Sequence, residues 1–247
     1  MASPDLVPLQ QEALKNWSDS KVIKPLHGGY RNTVLLVEQA GTLRVAKSTR
    51  RSEAAVRWAV GVMQAAEKAG FVVPYFIPSR AGNLVEDGVT VETYLRGDPA
   101  EQADLEEMLP FLQMFHEATR SFPQRPGFAS AVDLLFETRG GDVDLSQMPA
   151  GLVESCREAW QVLQGKPQSV VHGDLNPSNV LRTPDGRFAL LDWDESRRDA
   201  SLFDTLALSE TISQKFERQL FLAWEVAICW QIEPEYARAQ AEKLLES

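Results

Sequence analysis

The sequence of 247 residues is long enough to bury a sizeable core, in one large domain or two smaller ones. Its 44% hydrophobic and 24% charged residues are ordinary for a soluble globular protein, which excludes a disordered or fibrous chain. The formal net charge of −10 argues against a nucleic-acid partner, because such partners require Lys and Arg at the phosphates. The acidity either attracts a cationic small molecule or only keeps the protein soluble.

The first part of the chain has the pattern of β-structure. The runs "KVIKPL", "NTVLLVEQ", "TLRVAKS" and "VTVETYL", joined by turn-rich segments, predict an antiparallel meander. One helix from Ser52 to Gly70 interrupts it, with Ser52 as the N-cap and Gly70 just beyond the C-cap. The prolines of "FVVPYFIP" predict an extended segment after this helix.

Two features of this part point to phosphate binding. Gly28 and Gly29 form either a simple turn or a loop whose backbone N–H groups approach phosphates closely. Lys47 follows Val45 and Ala46 on the third strand, which is the pattern of a strand lysine that contacts nucleotide phosphates. The helix that follows begins at Glu53, the expected ion-pair partner of Lys47; Glu67, near its far end, is the alternative.

The pattern becomes helical after residue 97. In "AEQADLEEMLPFLQMFHEATR", Pro110 either kinks a helix or begins its second half. Further helices are predicted in "GLVESCREAWQVL", "SLFDTLALSETI", "KFERQLFLAWEVAICW" and "PEYARAQAEKLLE". The predicted fold class is α+β, with a lobe over 1–97 (an antiparallel sheet with one helix) and a mainly helical lobe over 98–247.

The cellular setting is predicted to be the cytoplasm, without membrane attachment. The opening "MASPDLVPLQ" has no basic region followed by an apolar core, as a signal peptide would. The apolar stretch "LFLAWEVAICW" is too short to span a bilayer. Cys156 and Cys229, the only cysteines, are expected to be buried free thiols.

The stretch "VVHGDLNPSNVL", residues 170–181, places polar residues between two apolar runs. Asp174 and Asn179 stand in the spacing D-x-x-x-x-N after His172, as in the catalytic loop of protein-kinase-like phosphotransferases. There the Asp accepts the proton of the acceptor hydroxyl and the Asn holds magnesium. A polar turn is the alternative, and His172 is expected to support the loop backbone.

A second acidic stretch, "FALLDWDE", follows after a Pro-Asp-Gly turn. Asp192, at the end of its strand, is the expected second magnesium ligand, because Mg²⁺ requires oxygen ligands and few protein groups beside phosphate. Asp194 is either a further carboxylate of the site or a solvated rim residue. Asp199 and Asp204 are expected to tie down the loops behind the site, as helix caps or hydrogen-bond acceptors.

With these residues, the chain resembles the aminoglycoside phosphotransferase and choline kinase-like family, which has a protein-kinase-like fold. The strongest similarity lies in "HGDLNPSNVL" and "LLDWDE". Weaker similarities are "GGYRNTVLLV", "VETYLRGDP", "FLQMFHEA" and "FDTLAL", so that the resemblance covers roughly residues 22 to 210.

The resemblance implies two lobes with ATP bound between them, although GTP is left open. It also implies Mg²⁺ and transfer of the γ-phosphate to the hydroxyl of a small molecule. Asp174 would then be the base, Asn179 and Asp192 the magnesium ligands, and Lys47 the phosphate contact. Adenine would form hydrogen bonds with the backbone of the connector between the two lobes. The spacing from Gly97 favours Thr93 and Leu95 for these bonds.

Several alternatives remain at this point. The acceptor could be an aminoglycoside, homoserine, choline, a sugar or another antibiotic. A nucleotide-binding pseudokinase would have lost the base, the lysine or a metal ligand, and this sequence keeps all of them. A metal-dependent phosphoesterase usually needs several histidines, whereas this chain has three in separate contexts. The sequence predicts no oligomeric state.

Overall fold

A computed structural model of the chain describes residues 11–26, 32–208 and 215–247. The strands are β1 (Ser20–Pro25), β2 (Val34–Gln39), β3 (Thr42–Ser48), β4 (Val89–Thr93), β5 (Asp98–Pro99), β6 (Arg139–Gly140), β7 (Val143–Asp144), β8 (Gln168–Val171), β9 (Val180–Arg182), β10 (Phe188–Leu190) and β11 (Arg197–Ala200). The α-helices are α1 (Glu53–Lys68), α2 (Gln102–Glu107), α3 (Leu109–Thr119), α4 (Ala150–Trp160), α5 (Leu202–Ala207), α6 (Lys215–Cys229) and α7 (Pro234–Glu246).

The chain divides into two compact units, and each has segments from two parts of the sequence. Unit 1 consists of Met1–Pro99 and Val180–Leu191, and unit 2 of Ala100–Asn179 and Asp192–Ser247. The hairpin β9–β10 therefore belongs to unit 1, although it follows most of unit 2 along the chain. The expected functional division into a nucleotide-binding lobe over 1–97 and an acceptor lobe over 98–247 stays a prediction.

Unit 1 is built on the antiparallel sheet β1-β2-β3-β4, the meander that the sequence predicts. Its buried face, with Val37, Ala46 and Val91 fully buried, forms a small core. A second sheet has the order β10-β9-β5. The proline-rich segment after α1 is extended and forms isolated bridges, from Val72 to Ala189 and from Phe76 to Glu92.

The long helix of unit 1 begins and ends where its capping residues predict. The Ser52 side chain accepts a hydrogen bond from the Ala55 N–H, which satisfies one of the free donors of the first turn. After the C-cap, Ala69, the chain leaves the helix through Gly70 at φ 109°, a conformation that glycine adopts easily. The helix buries small and medium apolar residues, among them Val56, Ala59 and Val62.

Unit 2 is mainly helical, with the short antiparallel pairs β6–β7 and β8–β11. Pro110 lies in the first turn of α3, so it begins the second half of the predicted helical stretch, after α2. The core contains the buried aromatic residues Trp160, Phe203 and Trp224, whose rings are 5.5–6.2 Å apart. Both cysteines are buried and free.

A buried ion pair connects β11 to this core. Arg197 and Asp199 are 2.8 Å apart with side chains 1% and 0% exposed, and the Arg197 guanidinium lies 3.4 Å from the Trp224 ring centre. Asp199 also accepts hydrogen bonds from the N–H groups of Ala131 and Ala200, which confirms its expected role as a loop acceptor. Within the described residues the Arg197 Nη2 is buried without a hydrogen-bond partner, and the Trp224 ring gives the guanidinium a cation–π contact instead.

These features confirm the predicted α+β class, with an antiparallel sheet and one helix in the first part and mainly helices afterwards. None of the helices in the described part of the chain is long and apolar enough to cross a membrane. Gly28 and Gly29 lie outside the described residues.

Candidate active site

The loop at 172–179 in unit 2 holds Asp174 from both sides. The Asn179 Nδ2 donates to Oδ2 and to the backbone oxygen of Asp174, at 2.8 and 2.9 Å. The Asn176 Nδ2 donates to Asp174 Oδ1 at 3.0 Å, and Asn176 in turn accepts the Ser178 N–H at 2.9 Å. The loop is therefore a network of short-range hydrogen bonds that fixes the carboxylate, and more than a simple reversal of the chain.

The surroundings of Asp174 raise the pKa of its carboxyl above the ordinary range. Partial desolvation is the largest cause, and the negative charge of Asp192 acts in the same direction. The charge of His172 and the hydrogen bonds from Asn179 and Asn176 oppose this change. A carboxylate with a raised pKa is a stronger proton acceptor than a solvated aspartate.

Asp204, on α5, holds the start of the loop. Its carboxylate accepts the N–H of His172 at 2.8 Å and that of Gly173 at 3.0 Å, and the His116 Nε2 lies 3.0 Å from the same group. Burial alone would raise the pKa of Asp204, but the His116 hydrogen bond, the charges of the two histidines and the Gly173 N–H lower it. The expected role of Asp204 as a loop acceptor is confirmed.

Gly173 is required where it stands, for two reasons. Its φ of 86° is in the left-handed region, which strains other residues. A Cβ there would lie 2.7 Å from the Glu195 carbonyl oxygen and 2.9 Å from Arg197 Nη1. The close approach of these backbone segments brings the loop of Asp174 beside the segment that follows Asp192.

Asp192 begins that segment in a left-handed conformation, with φ 56° and ψ 73°. Such a conformation costs on the order of 1–3 kcal/mol in a non-glycine residue and persists only where the surroundings impose it. Trp193 is buried, with its ring 4.8 Å from that of His172 and 5.8 Å from that of Phe115. The buried indole therefore fixes the backbone beside the carboxylate.

Arg125 fixes the same segment from the other side. It is 2% exposed, and its Nη1 lies 3.0 Å from each of the carbonyl oxygens of Trp193, Asp194 and Ser196. A guanidinium is always charged and presents several donors in one plane, which suits it to converging carbonyls. Asp194 accepts here through its backbone carbonyl oxygen, and the expected role of its carboxylate stays a prediction.

The donors in this unit fit a magnesium ion held together with phosphate. Because the Asn179 amide nitrogen faces Asp174, its Oδ1 is the atom of this amide that could bind a cation. The Asp192 carboxylate is close enough to change the pKa of Asp174. No three His, Cys, Asp or Glu side chains form a metal-binding group in residues 11–26, 32–208 and 215–247. A small oxygen set is what Mg²⁺ uses beside phosphate oxygens.

In unit 1, Lys47 lies near an acidic residue other than the expected one. Its Nζ is 3.9 Å from Glu92 Oε2, and the two side chains are 12% and 9% exposed. Glu53 instead accepts the N–H groups of Leu84 and Val85 at 2.8–3.1 Å and lies 2.7 Å from Arg57.

The alternative partner, Glu67, accepts a hydrogen bond from the Tyr75 hydroxyl. The expected pairing of Lys47 with Glu53 is therefore wrong for this structure, and Glu67 does not replace it. The physical reason is that both helix carboxylates lie at the ends of α1, where they serve the adjoining loops.

The connector residues lie at and after the end of β4. The Thr93 N–H donates to the Tyr75 carbonyl oxygen, and the Tyr75 N–H donates to Thr93 Oγ1, both at 2.9 Å. Leu95 is half-buried just beyond the strand. The adenine contacts proposed for Thr93 and Leu95 stay predictions, as does the phosphate contact of Gly28 and Gly29.

Comparisons with known proteins identify the family of this chain. A model of the phosphotransferase enzyme family matches residues 22–241. The chain belongs to the phosphotransferase enzyme family. The predicted enzyme class, a small-molecule phosphotransferase, is thereby confirmed, whereas a search of curated proteins gave no significant match.

Solved structures of similar fold include members of the groups named by the resemblance. An aminoglycoside phosphotransferase from Alicyclobacillus acidocaldarius subsp. acidocaldarius is 18% identical, with 98% of this chain and 97% of that chain covered and a TM-score of 0.54. The choline kinase LicA from Streptococcus pneumoniae is 17% identical, with 92% and 93% covered and a TM-score of 0.60. The aminoglycoside phosphotransferase APH(4)-Ia is 12% identical, with 94% and 95% covered and a TM-score of 0.61.

Some of these proteins have been solved with ligands. LicA has been solved with AMP, and a thermostable mutant of APH(4)-Ia with AMP-PNP and hygromycin B. At these low sequence identities, the similarity between the solved structures and this chain establishes a shared fold and nothing more.

Sequence reasoning missed the contacts of three residues described above, Asn176, Arg125 and Glu92. Asn176 looked like a turn residue, Arg125 stands in an unremarkable loop, and Glu92 is one of many acidic residues in the chain. Asn176 could have been found from its Asn-Pro-Ser context, which favours a side chain that bonds its own loop. Arg125 and Glu92 could not, because their partners are far away in the sequence.

The position of Glu53 leads to a stability prediction. Glu53→Ala should lower the free energy of unfolding by about 1–3 kcal/mol, because two N–H groups lose a charged acceptor. Glu53→Gln is the matched control, since it keeps one acceptor oxygen and should lose less. Chemical denaturation measures both; an unchanged midpoint for Glu53→Ala would show that these bonds contribute nothing.

Proposed function

We propose that this phosphotransferase moves the γ-phosphate of ATP, bound with Mg²⁺, to a hydroxyl group of a small molecule. The observation that carries the proposal is the arrangement around Asp174. One carboxylate of raised pKa is held by Asn179 and lies beside Asp192, so that a base and two oxygen donors for a cation come together in one unit. GTP as the phosphate donor is the alternative within the same reaction.

The proposed roles follow from the geometry of this group. Asp174 accepts the proton of the acceptor hydroxyl as the hydroxyl oxygen forms its bond to the γ-phosphorus. The bond from that phosphorus to the β–γ bridging oxygen breaks, and the bridging oxygen leaves with ADP. The hydrogen bonds from Asn176 and Asn179 keep the carboxylate in a single orientation. Such positioning matters because phosphoryl transfer depends mainly on the alignment of the reacting groups and on charge stabilisation.

Asn179 and Asp192 would hold Mg²⁺ through oxygen atoms, and the ion would supply charge neutralisation at the phosphates. The solved structures of similar fold with AMP and AMP-PNP support a nucleotide as the donor. Lys47, on the strand pattern of a phosphate-binding lysine, would contact the same phosphates. Thr93 and Leu95 would present backbone groups to the adenine.

The acceptor is proposed to carry an amino or ammonium group. The net charge of −10 favours a cationic molecule, and the similar folds include a choline kinase and aminoglycoside phosphotransferases. Homoserine, an amino sugar, choline and an aminoglycoside all meet this requirement. The cytoplasm is the proposed location for a reaction that depends on ATP.

Replacing the base gives the first functional prediction. Asp174→Ala should reduce the rate of transfer by about 10² to 10⁴, the usual contribution of a positioned base, while nucleotide affinity stays close to that of the wild type. Steady-state kinetics and calorimetric titration with ATP measure the two effects. Asp185→Ala, at an exposed turn, is the matched control. If Asp174→Ala transferred phosphate as fast as the wild type, the assignment of the base would be wrong.

Replacing the proposed metal ligand should act on binding instead. Asp192→Ala is expected to reduce the increase in melting temperature that ATP and Mg²⁺ together produce, because fewer ligands hold the ion in the folded protein. ATP without Mg²⁺ should shift the melting temperature of the variant and the wild type alike. An undiminished shift with Mg²⁺ would remove Asp192 from the metal site.

The acceptor is best found by a screen. ATP consumption should be measured with aminoglycosides, amino sugars, choline, homoserine and neutral sugars, with Asp174→Ala as the background. We expect acceptor-dependent ADP formation with at least one amino-bearing alcohol. A preference for a neutral sugar would contradict the charge argument, and ATP binding without turnover on any acceptor would favour a pseudokinase.

A further inference from the structure

Glu92 and Lys47 are neighbours because of the register of the sheet. In the antiparallel pair β3–β4, Lys47 lies opposite Thr90 and Glu92 opposite Val45. Side chains alternate along a strand, so Glu92 shares a face with Thr90 and stands diagonally across from Lys47. The observed separation of 3.9 Å between the Lys47 Nζ and Glu92 Oε2 is the result.

Burial strengthens the electrostatic interaction between Lys47 and Glu92. Both side chains are about nine-tenths covered by protein, with 12% exposed for Lys47 and 9% for Glu92. A charge in such a position interacts more strongly than a surface pair, because water and salt screen it less. The ammonium of a lysine is also mounted on a flexible stem, so a nearby fixed carboxylate restricts where it points.

The acidic residues of α1 contact groups other than Lys47. Its sequence contains two of them, Glu53 and Glu67. Glu53 binds backbone N–H groups of the 84–85 segment and Arg57, and Glu67 binds Tyr75. The contacts of these two carboxylates therefore lie away from Lys47.

We propose that Glu92 is the positioning residue of Lys47, which it holds in the orientation needed at the nucleotide phosphates. A carboxylate of β4 would thus do what the sequence pattern assigns to a carboxylate of α1. The inference rests on the proposed function, because it concerns how the lysine meets the phosphates of ATP. Glu92 itself touches neither the phosphates nor the acceptor in this scheme.

The first test separates positioning from a general loss of structure. Glu92→Gln keeps the shape of the side chain and removes its charge, and it should lower kcat/KM for ATP by about 10- to 100-fold, as removal of a supporting residue commonly does. ATP affinity should fall while adenosine affinity stays unchanged, because only the phosphates are affected. Glu92→Asp, which restores the charge on a shorter side chain, should recover part of the loss.

A double-mutant cycle provides the second test. If Glu92 acts through Lys47, then Lys47→Met combined with Glu92→Gln should be no worse than Lys47→Met alone. The double variant also removes both buried charges together, so it keeps the test open should Glu92→Gln fold poorly. Glu38→Gln, an exposed change on β2 of the same sheet, is the matched control and should behave as the wild type.

The outcomes distinguish the two proposals. Phosphate transfer at the wild-type rate by Lys47→Met would overturn the phosphate-contacting role of the lysine in the proposed function. Impaired Lys47→Met beside fully active Glu92→Gln would overturn only the positioning role. Equal losses of adenosine and ATP affinity in Glu92→Gln would show that Glu92 acts on the base of the nucleotide, and a comparable loss in Glu67→Gln would return the role to the helix.

Discussion

The candidate active site depends on one buried carboxylate. Asp204 accepts the N–H groups of His172 and Gly173 and lies against the His116 ring, so its charge is satisfied where no water can reach it. It stands on α5, where the neighbouring Phe203 and Leu206 are buried in the helical core. The loop that contains the proposed base is therefore attached by hydrogen bonds to a helix that packs into the core of unit 2.

Further buried contacts connect the Asp174 loop to the segment that begins at Asp192. The His172 ring contacts Trp193, and Arg125 binds three carbonyl oxygens of the backbone beyond Asp192. The two acidic residues are thus held by a common set of buried groups, although they are eighteen positions apart in the sequence. Burial is the main cause of the raised pKa of Asp174, and repulsion by the Asp192 charge adds to it.

Sequence reasoning succeeded where the signal is local. The helix from Ser52 to Gly70 follows from its caps and its periodicity. The missing N–H of Pro110 limited it to a kink or a helix start, and the structure shows the helix start. The grouping of Asp174 with Asn179 follows from a spacing of five residues within one loop. Such features are determined by a few neighbouring residues, so a single sequence contains the information needed to predict them.

The errors concern contacts between distant segments. Glu53 was expected beside Lys47 because it begins the helix that follows the strand of Lys47. The register of the sheet brings Glu92 there instead. Register depends on which residues pair across strands, and a single sequence specifies that only through the whole buried face. Arg125 was missed for the same reason, since the carbonyl groups that it binds are about seventy residues away.

The pairing of Lys47 with a strand residue has a consequence for control. In protein kinases a lysine that depends on a helix glutamate can be switched off when that helix moves away. Here both partners lie on adjacent, hydrogen-bonded strands of one sheet, which cannot separate without breaking the sheet itself. If Lys47 and Glu92 have the roles proposed above, a movement of α1 would leave the lysine oriented, so this pairing would not offer that particular off-state.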